Sequence, residues 1–428
     1  MKFILSLSIL AFPILCSAAG VRHVDGAAPV RYTSPDIVLN YDVGPLGTLN
    51  NTAANDLFLQ SINLWNAVAT STINFTRGSD LPSDINETNY QSLIIPQTGG
   101  TTAHTSFTDG LNPVIYDTDG KILDDYLGAG QGSNVGGIAT SLYGIGSNNY
   151  ITGHAIINGN PAVSVSLLPY IITHEMGHMI GLDHSQLNIT DSNKACVLTG
   201  GQYPIMYATP CSQPSALHAD DISAISALYP AQNVAATFGE INGTLVDPSS
   251  AAKLGANIFV TNTTTNQVYS IVSDYLKQGT GYFSLLVPAG TYTLQASPVI
   301  AEFRGLSSVG PYATSAADIS FSNPVTAFRF SGATPGSDEL IAVSIGQATT
   351  VNVVTDGSGT VTTGASMTLS AVAPTVTTTP TTTTPTTVGG SGGGGSLNFL
   401  SGLLLLLVGL GKYILISSRL KNSFNVYG

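Results

Sequence analysis

Residues 174–185 read HEMGHMIGLDHS. On a helix, His174 and His178 lie one turn apart on the same face, so their imidazoles can converge on one ion. Gly181 can end that helix in a left-handed conformation, and the chain can then bend so that His184 returns toward the same ion. Three neutral imidazole nitrogens hold zinc and leave one tetrahedral position for water. The spacing therefore predicts a zinc site.

Glu175 directly follows the first histidine, about 100° further round the helix. From there its carboxylate can lie over the open zinc position and accept a proton from water instead of binding the metal. We therefore predict that Glu175 is the general base of a hydrolytic reaction. The alternative is an amphipathic helix with two surface histidines and a third in a loop. The chain has only 7 histidines, so a grouping of three of them in this window is improbable by chance.

The extended motif, with Gly181 and His184 at fixed distances from the first histidine, resembles that of the metzincin metallopeptidases. Ser185, directly after the third histidine, narrows the resemblance to the matrixins. The resemblance implies an α/β catalytic domain with a twisted mixed sheet and an active-site helix. It also implies bound zinc and a protein or peptide substrate.

Further residues carry the same resemblance. Residues 203–207, YPIMY, resemble the Met-turn of the family, in which Met206 would lie beneath the metal-binding histidines. Trp65 and a helix predicted over residues 220–228 also fit the family pattern. The resemblance covers roughly residues 30–230, about half of the chain.

Hydrophobic periodicity divides the body into two regions. Residues 30–232 alternate between strand and helix patterns, with strands predicted over 36–41, 73–75, 137–140 and 154–157 and helices over 53–72, around His174 and over 220–228. Residues 236–370 contain only short β runs, which predicts an all-β sandwich. Parts of this second region resemble carboxypeptidase-regulatory or transthyretin-like domains. The predicted fold class is therefore α+β, followed by an all-β sandwich.

Residues 117–125 read DTDGKILDD, with carboxylates around a turn glycine. Such a pattern suits a hard cation with oxygen ligands, and Asp117, Asp119 and Asp124 are the candidate calcium ligands. The segment is shorter than an EF-hand loop and lacks its terminal glutamate. Two interpretations stay open, a calcium loop and a solvated acidic turn.

Both ends of the chain carry targeting features. Residues 1–19 combine a basic start, an apolar run and small residues, which predicts a secretory signal peptide. A Thr/Pro- and Gly-rich linker over 371–396 precedes an apolar segment over 397–416 that is long enough to span a membrane as a helix. Basic residues in the short tail over 417–428 place that tail in the cytoplasm and the body outside.

The glycines, apolar span and basic end together resemble the GlyGly-CTERM sorting tails of bacterial exported proteins. In that family a membrane protease cuts near the glycines. A plain single-pass anchor behind a flexible linker explains the same features. We therefore expect an exported protein, extracellular or at the cell surface, whose tail is either kept or removed.

Cys196 and Cys211 are the two cysteines that remain after removal of the signal peptide. In an oxidising compartment an isolated pair most simply forms one disulfide. Closing the loop that contains residues 203–207 would stabilise the fold by about 3 kcal/mol on the chain-entropy model.

Composition narrows the class of partner. Charged residues make up 9% of the chain, with 13 Lys+Arg against 25 Asp+Glu and a net charge of -12. This acidic, charge-poor chain is a poor match for a phosphate backbone, which argues against nucleic-acid binding. We expect a secreted or surface-tethered zinc endopeptidase of extracellular proteins. The alternative is a surface adhesion or matrix-binding protein with a structural metal domain, although a fourth protein ligand normally closes a structural zinc site.

Overall fold

The computed structural model describes residues 20–94, 110–144, 146–185, 187, 203–207, 216–299, 325–332, 334, 336–367 and 395–398. Helices and strands are mixed over these residues, so the predicted α+β class is confirmed at that level. The helices are α1 Asn51–Asn66, α2 Lys121–Leu127, α3 Leu168–Met179, α4 Ala219–Leu228 and α5 Val234–Thr237.

The first half of the chain builds one mixed sheet. The strands of this half are β1 Val24–Asp25, β2 Ala28–Pro29, β3 Arg31–Tyr32, β4 Asp36–Tyr41, β5 Asn74–Arg77, β6 Pro113–Asp117, β7 Val135–Tyr143 and β8 Asn149–Asn158, of which β3 to β8 belong to the mixed sheet. The order is β7-β8-β6-β4-β5, with β3 also on β8 and with β1 and β2 in a separate hairpin. Strands β4, β5, β6 and β8 are parallel, whereas β7 runs antiparallel to β8. On its other side β7 pairs with a strand from the C-terminal part of the chain, Gly395–Asn398, numbered β18 below.

Helix α1 packs against α3 through an apolar stripe. The buried residues of this stripe recur at helical spacing: Ala54, Phe58, Ile62 and Trp65. The indole Nε1 of Trp65 donates a hydrogen bond to the carbonyl oxygen of Thr173 in α3 at 2.9 Å. This hydrogen bond fixes the position of α3 along α1.

Helix α1 is shorter than the predicted 53–72. It begins after Asn50, whose side chain caps the amide of Ala53, and it ends at Asn66. The Asn66 side chain donates to the carbonyl oxygen of Phe75 and accepts from the amide of the same residue. The side-chain amide thus joins the helix end to β5, so the chain turns into the sheet several residues before the apolar period ends.

The described residues between 239 and 367 form short strands. They are β9 Gly239–Val246, β10 Asn257–Asn262, β11 Val268–Val272, β12 Tyr282–Val287, β13 Gly290–Ser297, β14 Phe328–Arg329, β15 Ile341–Val343, β16 Gln347–Val354 and β17 Gly359–Ser366. One sheet has the order β12-β9-β16-β17, and the other has β11-β10-β13-β14 with β15 also on β13. Side chains from both sheets are buried in one core. The described residues of this region are thus arranged mainly as two β-sheets.

The two regions share one continuous hydrophobic core. Helix α4 carries much of the contact between them. The hydroxyl of Ser223 in α4 donates to the carbonyl oxygen of Leu286 in β12 at 2.6 Å. Secondary structure changes class near residue 236, as the sequence predicts, but packing continues across that point.

Several sequence predictions fall on other parts of the chain. The predicted signal peptide, Cys196, Cys211 and most of the predicted linker, membrane span and tail lie outside the described residues. Leu397 and Asn398, where the predicted span begins, belong to strand β18. Among the described residues, no helix combines the length and the apolar character needed to cross a membrane.

Candidate metal centre

Helix α3 and the turn after it bring the three predicted histidines together. The Nε2 atom of His184 lies 3.2 Å from Nε2 of His174 and 3.2 Å from Nε2 of His178. All three side chains are buried, and their candidate ligand atoms lie within 4.8 Å of one another. Ligand bonds of about 2.05 Å at tetrahedral angles separate two nitrogens by about 3.3 Å, so this spacing fits a single ion. The histidines therefore form a group that could hold a metal.

Backbone carbonyls orient two of these rings. The Nδ1 atom of His174 lies 2.6 Å from the carbonyl oxygen of Ile205, and Nδ1 of His178 lies 2.9 Å from that of Leu182. Because each carbonyl can only accept, Nδ1 carries the proton and Nε2 keeps its lone pair. Burial lowers the pKa of His174 to about 4 and that of His178 well below its usual range, so both rings are neutral at pH 7.

The turn after α3 follows the predicted geometry. Gly181 has a φ of 100°, a left-handed conformation that favours glycine. The amides of Gly181 and Leu182 donate to the carbonyls of His178 and Gly177 and close the end of the helix. This sharp reversal directs His184 back toward the two helical histidines.

Glu175 is buried beside the histidines; its carboxylate accepts no side-chain hydrogen bond among the described residues, and the backbone amide of Ala139 in β7 lies close enough to lower its pKa. Burial raises the pKa of this carboxyl well above its usual range, and the nearby charge of Arg22 opposes that shift. A buried carboxylate without a charged or side-chain partner in hydrogen-bond contact is costly for folding, and such groups cluster at functional sites. Glu175 therefore has the proton affinity and free lone pairs required of a general base.

Met206 lies under helix α3, as the resemblance implies. A side chain at Gly177 would begin 2.3 Å from Sδ of Met206, so glycine is required where the methionine contacts the helix. The carboxylate of Asp221 in α4 accepts the amides of Met206 and Ile205 at 3.1 and 2.8 Å. Since the carbonyl of Ile205 holds His174, Asp221 supports the metal group through this turn.

Asp220, beside Asp221, links the histidine loop to the β-rich region. One carboxylate oxygen accepts the hydroxyl of Ser185 at 2.6 Å, and the other accepts the amide of Ser270 in β11 at 2.7 Å. Burial raises the pKa of Asp220 to about 7, and both hydrogen bonds oppose the shift. The residue that follows His184 is thus fixed by a carboxylate that also binds the second region.

The N-terminal part of the described chain borders the same site. The amide of Arg22 donates to the carbonyl of Gly181 at 2.8 Å, and the amide of Asp183 donates to that of Gly20 at 2.8 Å. Arg22 is buried, and its Nη1 donates to the carbonyl oxygen of Ala139 in β7 at 2.5 Å. Its charge is close enough to lower the pKa of Glu175.

The candidate calcium loop has a different arrangement. The carboxylate of Asp117 accepts the amides of Gly120, Ile122 and Leu123 at the start of α2. One oxygen of Asp124 accepts the amide of Gly132, and Asp119 forms an ion pair with Lys121. Within the described residues these aspartates do not converge as a group of three ligands, whereas the histidines do. Calcium binding at this turn remains a prediction.

Sequence reasoning missed three contributors to the site: Asp220, Asp221 and Arg22. The sequence predicts a helix that begins at the two aspartates but not that their carboxylates bind the histidine loop and the turn at Met206. No sequence signal placed Arg22 beside Glu175, because that contact joins residues far apart in the chain.

No model of a known protein family matches the sequence, and no curated protein is significantly similar to it.

Proposed function

We propose that the protein is an exported zinc-dependent endopeptidase that hydrolyses peptide bonds of extracellular proteins. The observation that carries this proposal is the buried carboxylate of Glu175, which no side chain among the described residues engages by a hydrogen bond, beside three converging imidazoles. A structural metal site gives no reason to keep such a carboxylate buried. The metzincin-like sequence pattern of residues 174–185 supports the same assignment.

The residues divide the chemistry between them. His174, His178 and His184 would hold zinc through Nε2, since carbonyl oxygens occupy the Nδ1 side of the two helical rings. Zinc bound there would polarise a carbonyl and lower the pKa of water toward about 7. Glu175 would take a proton from water and pass it to the leaving amine, a role that its raised pKa suits.

Strand β7 would bind the substrate. Among the strands of residues 31–158 it is the last in the sheet, antiparallel to β8 and next to α3. An extended peptide can add to such an edge through backbone hydrogen bonds, which gives affinity with little demand on sequence. The substrate class that fits is therefore an extended, locally unfolded segment of a protein.

Replacing Glu175 with alanine tests the proposal. We expect Glu175→Ala to keep one zinc per chain and the native circular dichroism spectrum, while kcat/KM on an unfolded protein falls roughly 10²- to 10⁴-fold. Glu175→Gln, which keeps the shape but cannot take a proton, should be equally inactive. Full activity in either variant, or purified wild-type protein that binds no metal, would contradict the proposal. A metal-bound, stable wild-type protein that cleaves nothing would instead favour the structural-metal alternative.

A further inference from the structure

The edge of the sheet beside the metal centre is occupied by the chain itself. Strand β18 pairs antiparallel with β7, with Gly395 opposite Ala139, Ser396 opposite Ile138 and Asn398 opposite Val135. These partners come from positions more than 250 residues apart in the sequence. The segment has the extended conformation and edge pairing by which a peptide would bind to this strand.

The register aligns one residue of this segment with the aliphatic part of the Glu175 side chain. A side chain at Gly137 of β7 would begin 3.0 Å from Cγ of Glu175, so Gly137 marks the point of the strand that touches Glu175. Between Ser396 and Asn398 the register shifts by one residue, and Leu397 is the residue that passes Gly137. The two peptide bonds of Leu397 are therefore the bonds of the segment closest along β7 to Glu175.

The chain between β17 and β18 is long enough for β18 to pair with β7 of the same molecule. Strand β17 ends at Ser366, and 28 residues separate it from Gly395. An extended chain of that length can reach roughly 90 Å, more than the width of a domain of this size. Because the segment is tethered, its effective concentration at β7 exceeds that of a free peptide.

We propose that the protein cleaves its own chain at one of the two peptide bonds of Leu397. This inference rests on the proposed peptidase function. Water adds its hydroxyl to the carbonyl carbon, the C–N bond breaks, and the proton taken up by Glu175 goes to the new amine. The reaction is a hydrolysis and needs no other reactant. Its product is a body that ends at Ser396 or Leu397, separated from the apolar segment 399–416.

Intact-mass measurement of the full chain, produced in membranes and supplied with zinc, tests this assignment. We expect the wild type to yield a body ending at Ser396 or Leu397, whereas Glu175→Ala keeps the C-terminus at Gly428. The rate should not change when the protein is diluted a hundredfold, since the cleavage is intramolecular. Wild-type protein that cleaves an unfolded protein but keeps its tail would overturn self-cleavage and leave the proposed function standing. The same cut in Glu175→Ala, or a cut only within residues 389–394, would also overturn it.

A second pair of variants tests the strand pairing without relying on peptidase activity. In the Glu175→Ala background, Ser396→Pro removes an amide from β18, and Ser391→Pro is the matched control outside the paired strand. We expect Ser396→Pro to raise amide hydrogen exchange in residues 135–143 about tenfold and Ser391→Pro to leave it unchanged. With an intact Glu175, Ser396→Pro should slow self-cleavage by a similar factor. Equal exchange in both variants would overturn the proposal even if the protein is a peptidase.

Discussion

Two groups of ionisable side chains, the histidines of the metal centre and the aspartates around α2, use their lone pairs in opposite ways. The Nε2 atoms of His174, His178 and His184 point toward one another, while carbonyls engage Nδ1 of the two helical rings. The carboxylate of Asp117 accepts three backbone amides and behaves as a helix cap. A histidine or aspartate therefore indicates a metal site only where its lone pairs are not already used to accept hydrogen bonds from backbone amides.

The largest expected effect is on zinc affinity, and it separates the two groups directly. His184→Ala removes one of three ligands and should weaken zinc binding at least about a hundredfold if the ligands share the binding energy evenly. Asp119→Ala, the matched change at the other group, should leave zinc affinity unchanged. Competition titration with a chromophoric chelator measures both. Zinc retained at full affinity by His184→Ala would show that the ion binds elsewhere.

Removing the cap at α2 should affect stability and not metal binding. Asp117→Ala leaves three amides without their acceptor, so we expect the free energy of unfolding to fall by about 2–4 kcal/mol. Millimolar calcium should shift the Tm of the wild type by less than about 1 °C, because the oxygens of Asp117 are already engaged by the backbone. If calcium raises Tm by several degrees, and Asp119→Ala or Asp124→Ala abolishes the rise, the turn is a cation site after all.

The ionisation of Asp220 should make the stability of the folded protein depend on pH. Burial raises its pKa to about 7 in the folded protein, above its unfolded value, so its contribution to stability is complete below about pH 4 and is lost as the pH rises through 7. Asp220→Asn keeps an oxygen for Ser270 and an amide for Ser185 but never ionises. We expect the stability of the variant relative to the wild type to be greater at pH 8 than at pH 5, by about 2–3 kcal/mol. Urea unfolding at the two pH values measures this difference.

The control for that experiment is Asp247→Asn, at a partly exposed turn where hydrogen bonds hold the pKa of the aspartate well below its usual range. Its folded pKa lies below the range between pH 5 and 8, so it should not change the slope of stability there. A wild-type slope that Asp220→Asn leaves intact would mean that other buried carboxyls, Asp221 among them, dominate the titration.

The smallest expected effect concerns Arg22 and the general base. Arg22 lowers the pKa of Glu175, so Arg22→Ala should raise that pKa. Since the base must be ionised to accept a proton, the acidic limb of the kcat/KM profile should move to higher pH. Arg77→Ala, at the exposed end of β5, serves as the charge-matched control and should leave the limb in place. An unchanged limb in Arg22→Ala would mean that Glu175 does not control it.

The sequence predicted the metal group well because its determinants are local. His174, His178 and Gly181 lie within two turns of α3, where helical geometry alone decides which side chains meet. Met206 came from resemblance, and its contact with Gly177 explains why a glycine stands between the two helical histidines.

Contacts between distant segments could not be predicted in the same way. The pairing of β18 with β7 and the bond from Ser270 to Asp220 depend on topology, which no local pattern encodes. The end of α1 at Asn66 was missed for a related reason, because the side chain that ends the helix binds a strand. For Asp117, sequence reasoning recognised an acidic turn but not which donors would take its oxygens.

The bridge through Asp220 has a practical consequence for anyone who wishes to produce the N-terminal half as a separate recombinant fragment. A truncation near residue 232 would leave Asp220 and Ser223 of α4 without their partners, the amide of Ser270 and the carbonyl of Leu286. It would also expose to solvent the apolar surface that the β-rich half covers. The fragment would lose part of the scaffold that fixes Ser185, next to a zinc ligand. The β-rich half therefore supports the conformation of the histidine loop and is not an independent module.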